Sequence, residues 1–141
     1  MERRFLITAA MATALFLSGC GGFGAQRVAE SGATLEGTVT YGKEKVPAAM
    51  IIAKGSSGTT EGFCDDDGKY KLTNVPVGEV TIGVNIQAGQ GQLMSRKMNK
   101  EQVPKIPNVP MKYADPGTSG IKTTIAKGEN KFDVEIPANP K

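Results

Sequence analysis

One stretch, residues 63–84 (FCDDDGKYKLTNVPVGEVTIGV), constrains the fold most, because turns and alternating strands follow one another within 22 residues. Asp67 and Gly68 form a strong turn pair, since Asp bonds to neighbouring backbone and Gly tolerates positive φ. Apolar and polar residues alternate over 69–73 and again over 79–84, which predicts two strands that each bury one face. Two strands alone are unstable in water, so this stretch requires further strands around it.

Similar alternation elsewhere predicts an all-β chain. Strands are predicted over 34–41, over 46–54 as an apolar central strand, over 59–64 paired with 70–73, and over 121–125 and 132–136 as a closing hairpin. The total is about seven strands with turns every eight to twelve residues, which indicates a Greek-key β-sandwich. No stretch outside the amino-terminal segment shows a capped helical period.

The connection between the strands at 79–84 and 121–125 has a weaker pattern. Residues 93–98 are predicted as a short edge strand, and residues 101–110 contain three prolines, which exclude a central strand. Several apolar side chains mark this connection: Met94, Met98, Val103, Ile106, Val109 and Met111. Two interpretations stay open, a partner-binding surface built on adaptable methionines and a cover that buries these groups over the sandwich. Function, if it is local, is expected within residues 87–111.

The amino terminus is predicted to be a processing segment. Arg3 and Arg4 form a positive region, and residues 5–17 form an apolar run of 13 residues, too short to cross a bilayer of ~30 Å. Residues 17–20 (LSGC) resemble the lipobox of bacterial lipoproteins. That resemblance implies cleavage between Gly19 and Cys20 and lipidation of Cys20 as a membrane anchor.

The expected organisation has four parts. Residues 1–19 are a signal peptide, and residues 20–33 are the lipidated cysteine with a flexible tether of roughly 20 Å reach. Residues 34–136 form the sandwich, and residues 137–141 are a tail. Gly rather than Asp follows Cys20, which favours an outer-membrane or cell-surface location over inner-membrane retention.

Composition excludes several function classes. The chain has no histidine, which removes Ser-His-Asp and Cys-His catalysis as usually built and His-containing zinc sites. Net charge is only +3, so nucleic acid is not an expected partner. Tryptophan is absent, so an aromatic platform for glycans is poorly supplied. No cofactor and no catalytic residue are predicted, and a hydrolase lacks a visible nucleophile–base set.

The acidic run Asp65, Asp66 and Asp67 is a weak calcium candidate, since carboxylates suit a hard cation. The EF-hand spacing fails, because position one would be Phe63 and position twelve Asn74. A polar turn is the preferred interpretation. Cys64 has no second thiol available once Cys20 carries lipid, so a structural disulfide is not expected. Its acidic neighbours raise a thiol pKa, which favours a small strand residue over a reactive thiol.

The turn and strand residues resemble the carboxypeptidase regulatory-like domains, which are transthyretin-like β-sandwiches. The pattern consists of Asp67, Gly68, Tyr70, Leu72, Val75, Pro76, Gly78, Val80 and Ile82. Residues 36–49 are similar to the family's opening strands, and 106–107, 112–120 and 128–132 are similar to those of small bacterial lipoproteins with this domain. The resemblance implies a non-enzymatic module.

The expected function is therefore a lipid-anchored, non-enzymatic module of the cell envelope with a structural or protein-interaction role. The alternative is a carbohydrate- or peptide-binding domain at the cell surface. The membrane, through Cys20, and an envelope protein or glycan are the expected partners, whereas the oligomeric state and the ligand stay open.

Overall fold

A computed structural model describes residues 30–138, and alternating side chains build most of its elements. Nine strands are present among these residues: β1 (Ala33–Tyr41), β2 (Glu44–Lys45), β3 (Met50–Gly55), β4 (Gly58–Phe63), β5 (Lys69–Thr73), β6 (Gly78–Asn85), β7 (Ile121–Ile125), β8 (Gly128–Lys131) and β9 (Val134–Ile136). Two helices, α1 (Ile86–Met98) and α2 (Pro116–Ser119), and a 3₁₀ turn (Met111–Tyr113) lie between β6 and β7. The prediction of about seven strands undercounts, because β2, β8 and β9 are only two to four residues long.

Strand β1 is the centre of sheet I. It pairs antiparallel with β5 and β2, and parallel with β8 and β9. Sheet II is antiparallel throughout, in the order β4-β3-β6-β7. The central position predicted for the apolar strand that becomes β3 is confirmed.

The two sheets enclose one apolar core, which confirms the β-sandwich. Its largest fully buried side chains include Leu35, Ile51, Leu72, Ile82 and Ile125, which come from both sheets. Each such side chain contributes about 1.5–3 kcal/mol by leaving water. For Leu35, Leu72, Ile82 and Ile125 the alternation that predicted the strands also predicted the buried face. The sequence of β3, which contributes Ile51, is apolar on both faces.

The predicted pairing of residues 59–64 with 70–73 is wrong. Strand β4 pairs with β3 in sheet II, whereas β5 pairs with β1 in sheet I. A Cβ on Gly62 of β4 would lie 2.7 Å from the Leu72 side chain of β5, so these strands face each other across the core. The acidic turn therefore crosses between sheets, and β5 and β6 likewise belong to different sheets.

The predicted closing hairpin is also wrong. Strand β7 pairs with β6, whereas β8 and β9 pair with β1 in the opposite sheet. Two hydrogen bonds hold β8 against β1 in sheet I. Gly128 N–H donates to the Gly32 carbonyl at 3.0 Å, and Asn130 Nδ2 donates to the Thr34 carbonyl at 3.1 Å. The turn predicted at 128–130 is thus part of strand β8.

Residues 101–110 have no regular secondary structure, which confirms the extended connection predicted from the prolines. After it, Tyr113, Pro116 and Ser119 are buried beside sheet II. A Cβ on Gly83 of β6 would lie 2.8 Å from Pro116, and the Ser119 hydroxyl donates to the Ile82 carbonyl. The connection therefore covers the outer face of sheet II, as the second interpretation expected for part of it.

The sandwich has two distinct ends. The start of β1 lies beside residue 75, whose N–H donates to the Ala33 carbonyl at 3.1 Å. The other end contains the acidic turn and the turn before β3. In the first, the Gly68 carbonyl accepts from Val39 N–H at 2.8 Å, and in the second, Ala48 N–H donates to the Asp65 carbonyl at 3.2 Å. We call these the β1-start end and the helix end, since α1 packs on the second. The six residue rises of β1 from Ala33 to Val39 separate them by about 20 Å.

Candidate functional site

Helix α1 replaces the edge strand predicted over 93–98 and is the largest departure from the sequence-based expectation. The Asn85 side chain caps it by accepting from Gln87 N–H at 3.0 Å and Ala88 N–H at 3.2 Å. Two glycines and several glutamines weaken its amphipathic pattern, so propensity alone does not favour it. The helix forms because the sandwich provides a surface for it.

One face of α1 packs on the helix end. Ile86, Gly89 and Leu93 are buried, and their spacing of three and four residues places them on one side of the helix. Gly89 lies so close to strand-turn backbone that a Cβ there would overlap the Ala48 carbonyl group. A glycine at 89 therefore fixes how closely the helix can approach the sandwich.

Arg96 ties the carboxyl-terminal turn of α1 to the acidic turn. Its guanidinium donates to both Asp66 carboxylate oxygens, at 2.7 and 2.9 Å, and to Glu101 at 3.1 Å. These hydrogen bonds hold the pKa of Asp66 below its ordinary value and raise the pKa of Arg96. A bidentate pair of this kind fixes orientation better than a single ion pair does.

Replacing Asp66 with Asn is expected to loosen α1 rather than to unfold the sandwich. The folded-state pKa of Asp66 is lowered, so its stabilising contribution is present above about pH 3.9 and is lost as pH falls through the folded pKa. Amide hydrogen exchange in α1 at neutral pH should become several-fold faster in Asp66→Asn. As pH falls through the folded pKa of Asp66, the protection of α1 amides relative to their intrinsic exchange rates should decrease in the unmodified chain but not in Asp66→Asn.

The neighbouring Asp67 supplies the control for that experiment. Asp67 makes one exposed ion pair with Lys45 at 3.3 Å, which contributes little. Asp67→Asn should therefore leave exchange in α1 unchanged. Equal exchange rates in the two variants would contradict the assigned role of Arg96.

The three carboxylates of the calcium candidate have separate partners. Asp65 Oδ1 accepts from the backbone N–H groups of Asp67 and Lys69, both at 2.9 Å, while Asp66 pairs with Arg96 and Asp67 with Lys45. Across residues 30–138, no three acidic or thiol side chains are grouped to hold a metal ion. The arrangement matches the polar turn that the sequence analysis preferred.

A groove lies between α1 and the extended segment after it, and we call it the helix groove. It has a volume of about 300 Å³. Its lining consists of Gln90, Leu93, Met94, Lys97, Val103, Pro104 and Ile106. Met94 and Met98 are 71% and 85% exposed, and Met111, farther along the same connection, is 60% exposed. The burial interpretation therefore fails for these three methionines.

A second groove follows β1 on sheet I, and we call it the strand groove. It has a volume of about 450 Å³ and a mostly charged lining. The lining residues are Glu36, Gly37, Thr38, Asp65, Lys69, Tyr70, Lys71, Lys131 and Asp133. Glu36 pairs there with Lys71 at 3.7 Å and Lys131 at 3.6 Å, which leaves both signs of charge along a shallow surface.

Cys64 is a buried thiol in the core. Burial, with a smaller contribution from the Asp65 carboxylate, raises its pKa to about 12. Only the thiolate form of a cysteine is nucleophilic. Because the raised pKa keeps Cys64 protonated, this thiol is unreactive at neutral pH.

Labelling of the native chain with a disulfide reagent at pH 8 should show the low reactivity of the Cys64 thiol directly. We expect Cys64 to react roughly a thousandfold more slowly than an ordinary free thiol, and fully after denaturation in urea. The matched control is Phe63→Cys/Cys64→Ala, which moves the thiol one residue to an exposed site. Native labelling of Cys64 at the control rate would contradict its assignment to the core.

The predicted cleavage and lipidation residues, Gly19 and Cys20, lie outside the described residues. Within the described part of the chain, no helix has the length and hydropathy needed to cross a membrane. Arg96 is a site residue that was not predicted, although its opposite charge to Glu101, five residues later, was an available signal in the sequence.

Some solved structures are similar to this chain at low sequence identity. No family model matches this chain, and no curated protein matches it. Among solved structures, it is similar to the Bacillus anthracis TIE protein, with 14% identity, a TM-score of 0.40, and coverage of 74% of this chain and 16% of that one. It is also similar to BcpA, the major pilin subunit of Bacillus cereus, with 15% identity, a TM-score of 0.41, and coverage of 76% of this chain and 30% of that one. This chain spans less than a third of either protein. Its assignment as a β-sandwich rests on its own strand pairing.

Proposed function

We propose that this chain is a non-enzymatic, lipid-anchored module of the cell envelope that acts by binding another envelope component. In this proposal, residues 1–19 are a lipoprotein signal peptide, and residues 20–33 carry the acylated Cys20 and a tether. Residues 34–136 are a sandwich of the carboxypeptidase regulatory-like kind, followed by a short tail at 137–141. The proposed location is the outer membrane or the cell surface.

The exposed methionine surface at the helix end is the observation that supports an interaction role most strongly. Met94 and Met98 are exposed to solvent, although α1 itself is held in place by the Asn85 cap and by the ion pair between Arg96 and the acidic turn. Exposed large apolar groups beside a groove are typical of binding surfaces. An ordered helix that presents them costs little conformational entropy on binding.

The placement of the tether supports the same proposal. It would join the sandwich at the β1-start end, about 20 Å from the helix end. An anchor at Cys20 would therefore hold the first end near the bilayer and present α1 away from it. The chemically quiet Cys64 thiol and the individually paired carboxylates of the acidic turn are consistent with a non-enzymatic role.

Mass spectrometry of the protein from membranes tests the anchor. We expect a mature chain that begins at Cys20 and carries acyl groups, and we expect Cys20→Ala to accumulate as the uncleaved, unacylated precursor. Cys64→Ala changes the other thiol and should be processed normally. An unmodified cysteine at the mature amino terminus would overturn the proposed anchoring.

The strand groove supports the alternative, a carbohydrate- or peptide-binding domain. Its about 450 Å³ and its hydrogen-bonding side chains suit a polar ligand. Saturation-transfer NMR with envelope glycan fragments would test it, with Lys71→Glu as the disrupting variant and Lys127→Glu, which lies outside the groove lining, as control. Transfer that Lys71→Glu abolishes would favour this alternative over the main proposal, and transfer unaffected by Lys71→Glu would exclude the groove.

A further inference from the structure

We infer that the helix groove binds an acidic segment of another protein that inserts an apolar side chain between α1 and residues 103–106. This inference deepens the interaction role proposed above and depends on that role. The pocket and its charge do not depend on lipidation of Cys20, whereas the argument against a bilayer as occupant does. It assigns both a site and a ligand chemistry: a peptide with one apolar anchor flanked by carboxylates.

The groove itself supplies the apolar pocket. Leu93 forms its buried floor, and Met94, Val103 and Ile106 contribute apolar walls. A volume of about 300 Å³ is at the small end of ligand pockets, which suits one large side chain rather than a whole small molecule. Methionine walls adapt to different side chains, as binding grooves for peptides commonly require.

The charges near the helix groove favour a partner with negative charge. Lys97 is the only charged residue in the lining, which contains no carboxylate. Lys105 lies between the lining residues Pro104 and Ile106, and Lys100 lies between α1 and this segment; both are exposed. The nearby carboxylates Asp66 and Glu101 are both bonded to Arg96. One lysine in the lining and two exposed lysines in the segment that follows α1 complement a partner that carries Asp or Glu beside an apolar residue.

Two other occupants fit less well. Glycan recognition commonly uses aromatic stacking, and residues 86–112 contain no Trp, Tyr or Phe. A bilayer fits poorly as well, since the groove lies at the end of the sandwich opposite to the start of β1, where the chain leads back towards Cys20. An anchored chain would have to turn over to place Met94 and Met98 in lipid. A protein partner is therefore the occupant that the placement favours.

Selection from a random-peptide phage library on the full chain held in phosphatidylcholine nanodiscs tests the inference. The disrupting variant is Met94→Glu/Lys97→Glu, which changes two exposed residues of the groove. The control is Val77→Glu/Lys127→Glu, which makes the same chemical changes at exposed residues near the β1-start end. Circular dichroism verifies that both variants keep the fold. If lipidation fails, the same selection on unlipidated chain in solution still applies.

We expect enriched peptides to combine an apolar residue with flanking Asp or Glu. Their binding should fall about tenfold or more in the groove variant and stay unchanged in the control. Failure to enrich peptides, or enrichment of peptides without acidic residues, would overturn the inference. So would equal binding to the groove variant. Two further outcomes would overturn it as well. If phosphatidylglycerol, substituted for part of the phosphatidylcholine in the nanodisc, protects Met94 and Met98 from oxidation, the surface belongs to the membrane. If the chain self-associates and the groove variant does not, the surface belongs to a second copy.

Discussion

Replacing Gly89 with Ala should destabilise the chain by about 2–4 kcal/mol, even though alanine is the better helix former. A methyl group at residue 89 would overlap the Ala48 carbonyl group, so α1 must move away from the sandwich. Moving it exposes Ile86 and Leu93, whose burial contributes about 1.5–3 kcal/mol each. This loss exceeds the gain of about 1 kcal/mol that alanine brings to a helix interior.

Gly91 lies two residues farther along the same helix, and its replacement with alanine is expected to change stability in the opposite direction. A Cβ at residue 91 would meet nothing within 4 Å, so Gly91→Ala should stabilise the chain by about 0.5–1 kcal/mol. Urea unfolding of both variants measures the two signs. If Gly89→Ala stabilises the chain, or destabilises it no more than Gly91→Ala does, the docking of α1 through Gly89 is wrong.

Replacing Gly37 with Ala should cost about 3 kcal/mol or more and should loosen the sheet I edge that β8 and β9 form. A methyl group at residue 37 would overlap the Phe132 carbonyl oxygen, which lies between those two strands and accepts from the Tyr70 hydroxyl at 2.6 Å. Overlap with backbone cannot be relieved by a side-chain rotation, so the Phe132 backbone must shift. The free energy of unfolding from urea titration measures the cost.

Tyr70→Phe separates the steric effect from the loss of the hydrogen bond. It removes only the phenolic donor and should cost about 1–2 kcal/mol, because the Phe132 carbonyl loses its partner. The double variant should cost less than the sum of the two, since Gly37→Ala already disrupts that bond. Strict additivity would show that Gly37 and Phe132 are not in contact.

Alternation predicted the strands well because it depends only on which face of a strand is buried. The core faces of β1, β5 and β6 follow directly from their apolar positions, whereas β3 is apolar on both faces. Alternation carries no information about the partner of a strand. The acidic turn therefore seemed to join a hairpin, although it crosses between sheets, with Gly62 facing Leu72 across the core.

Helix α1 could not be predicted for a related reason. Its stability comes from contacts with residues distant in sequence, such as Ala48 against Gly89 and Asp66 with Arg96. Local propensity is low for a helix with two interior glycines. The expectation that a local function lies within residues 87–111 stays a prediction. Methionines among prolines and lysines suggested it, and the structure adds that three of these methionines are exposed.

Photocrosslinking in intact cells tests the central claim most directly, that the helix end binds an envelope protein. The measurement compares a photoreactive amino acid at Met94 with one at Val77, since both side chains are exposed and they lie at opposite ends of the sandwich. The account predicts a protein adduct from Met94 whose crosslinked segment is acidic, and no adduct of that kind from Val77. Adducts from Val77 alone, or lipid adducts from Met94, would contradict it.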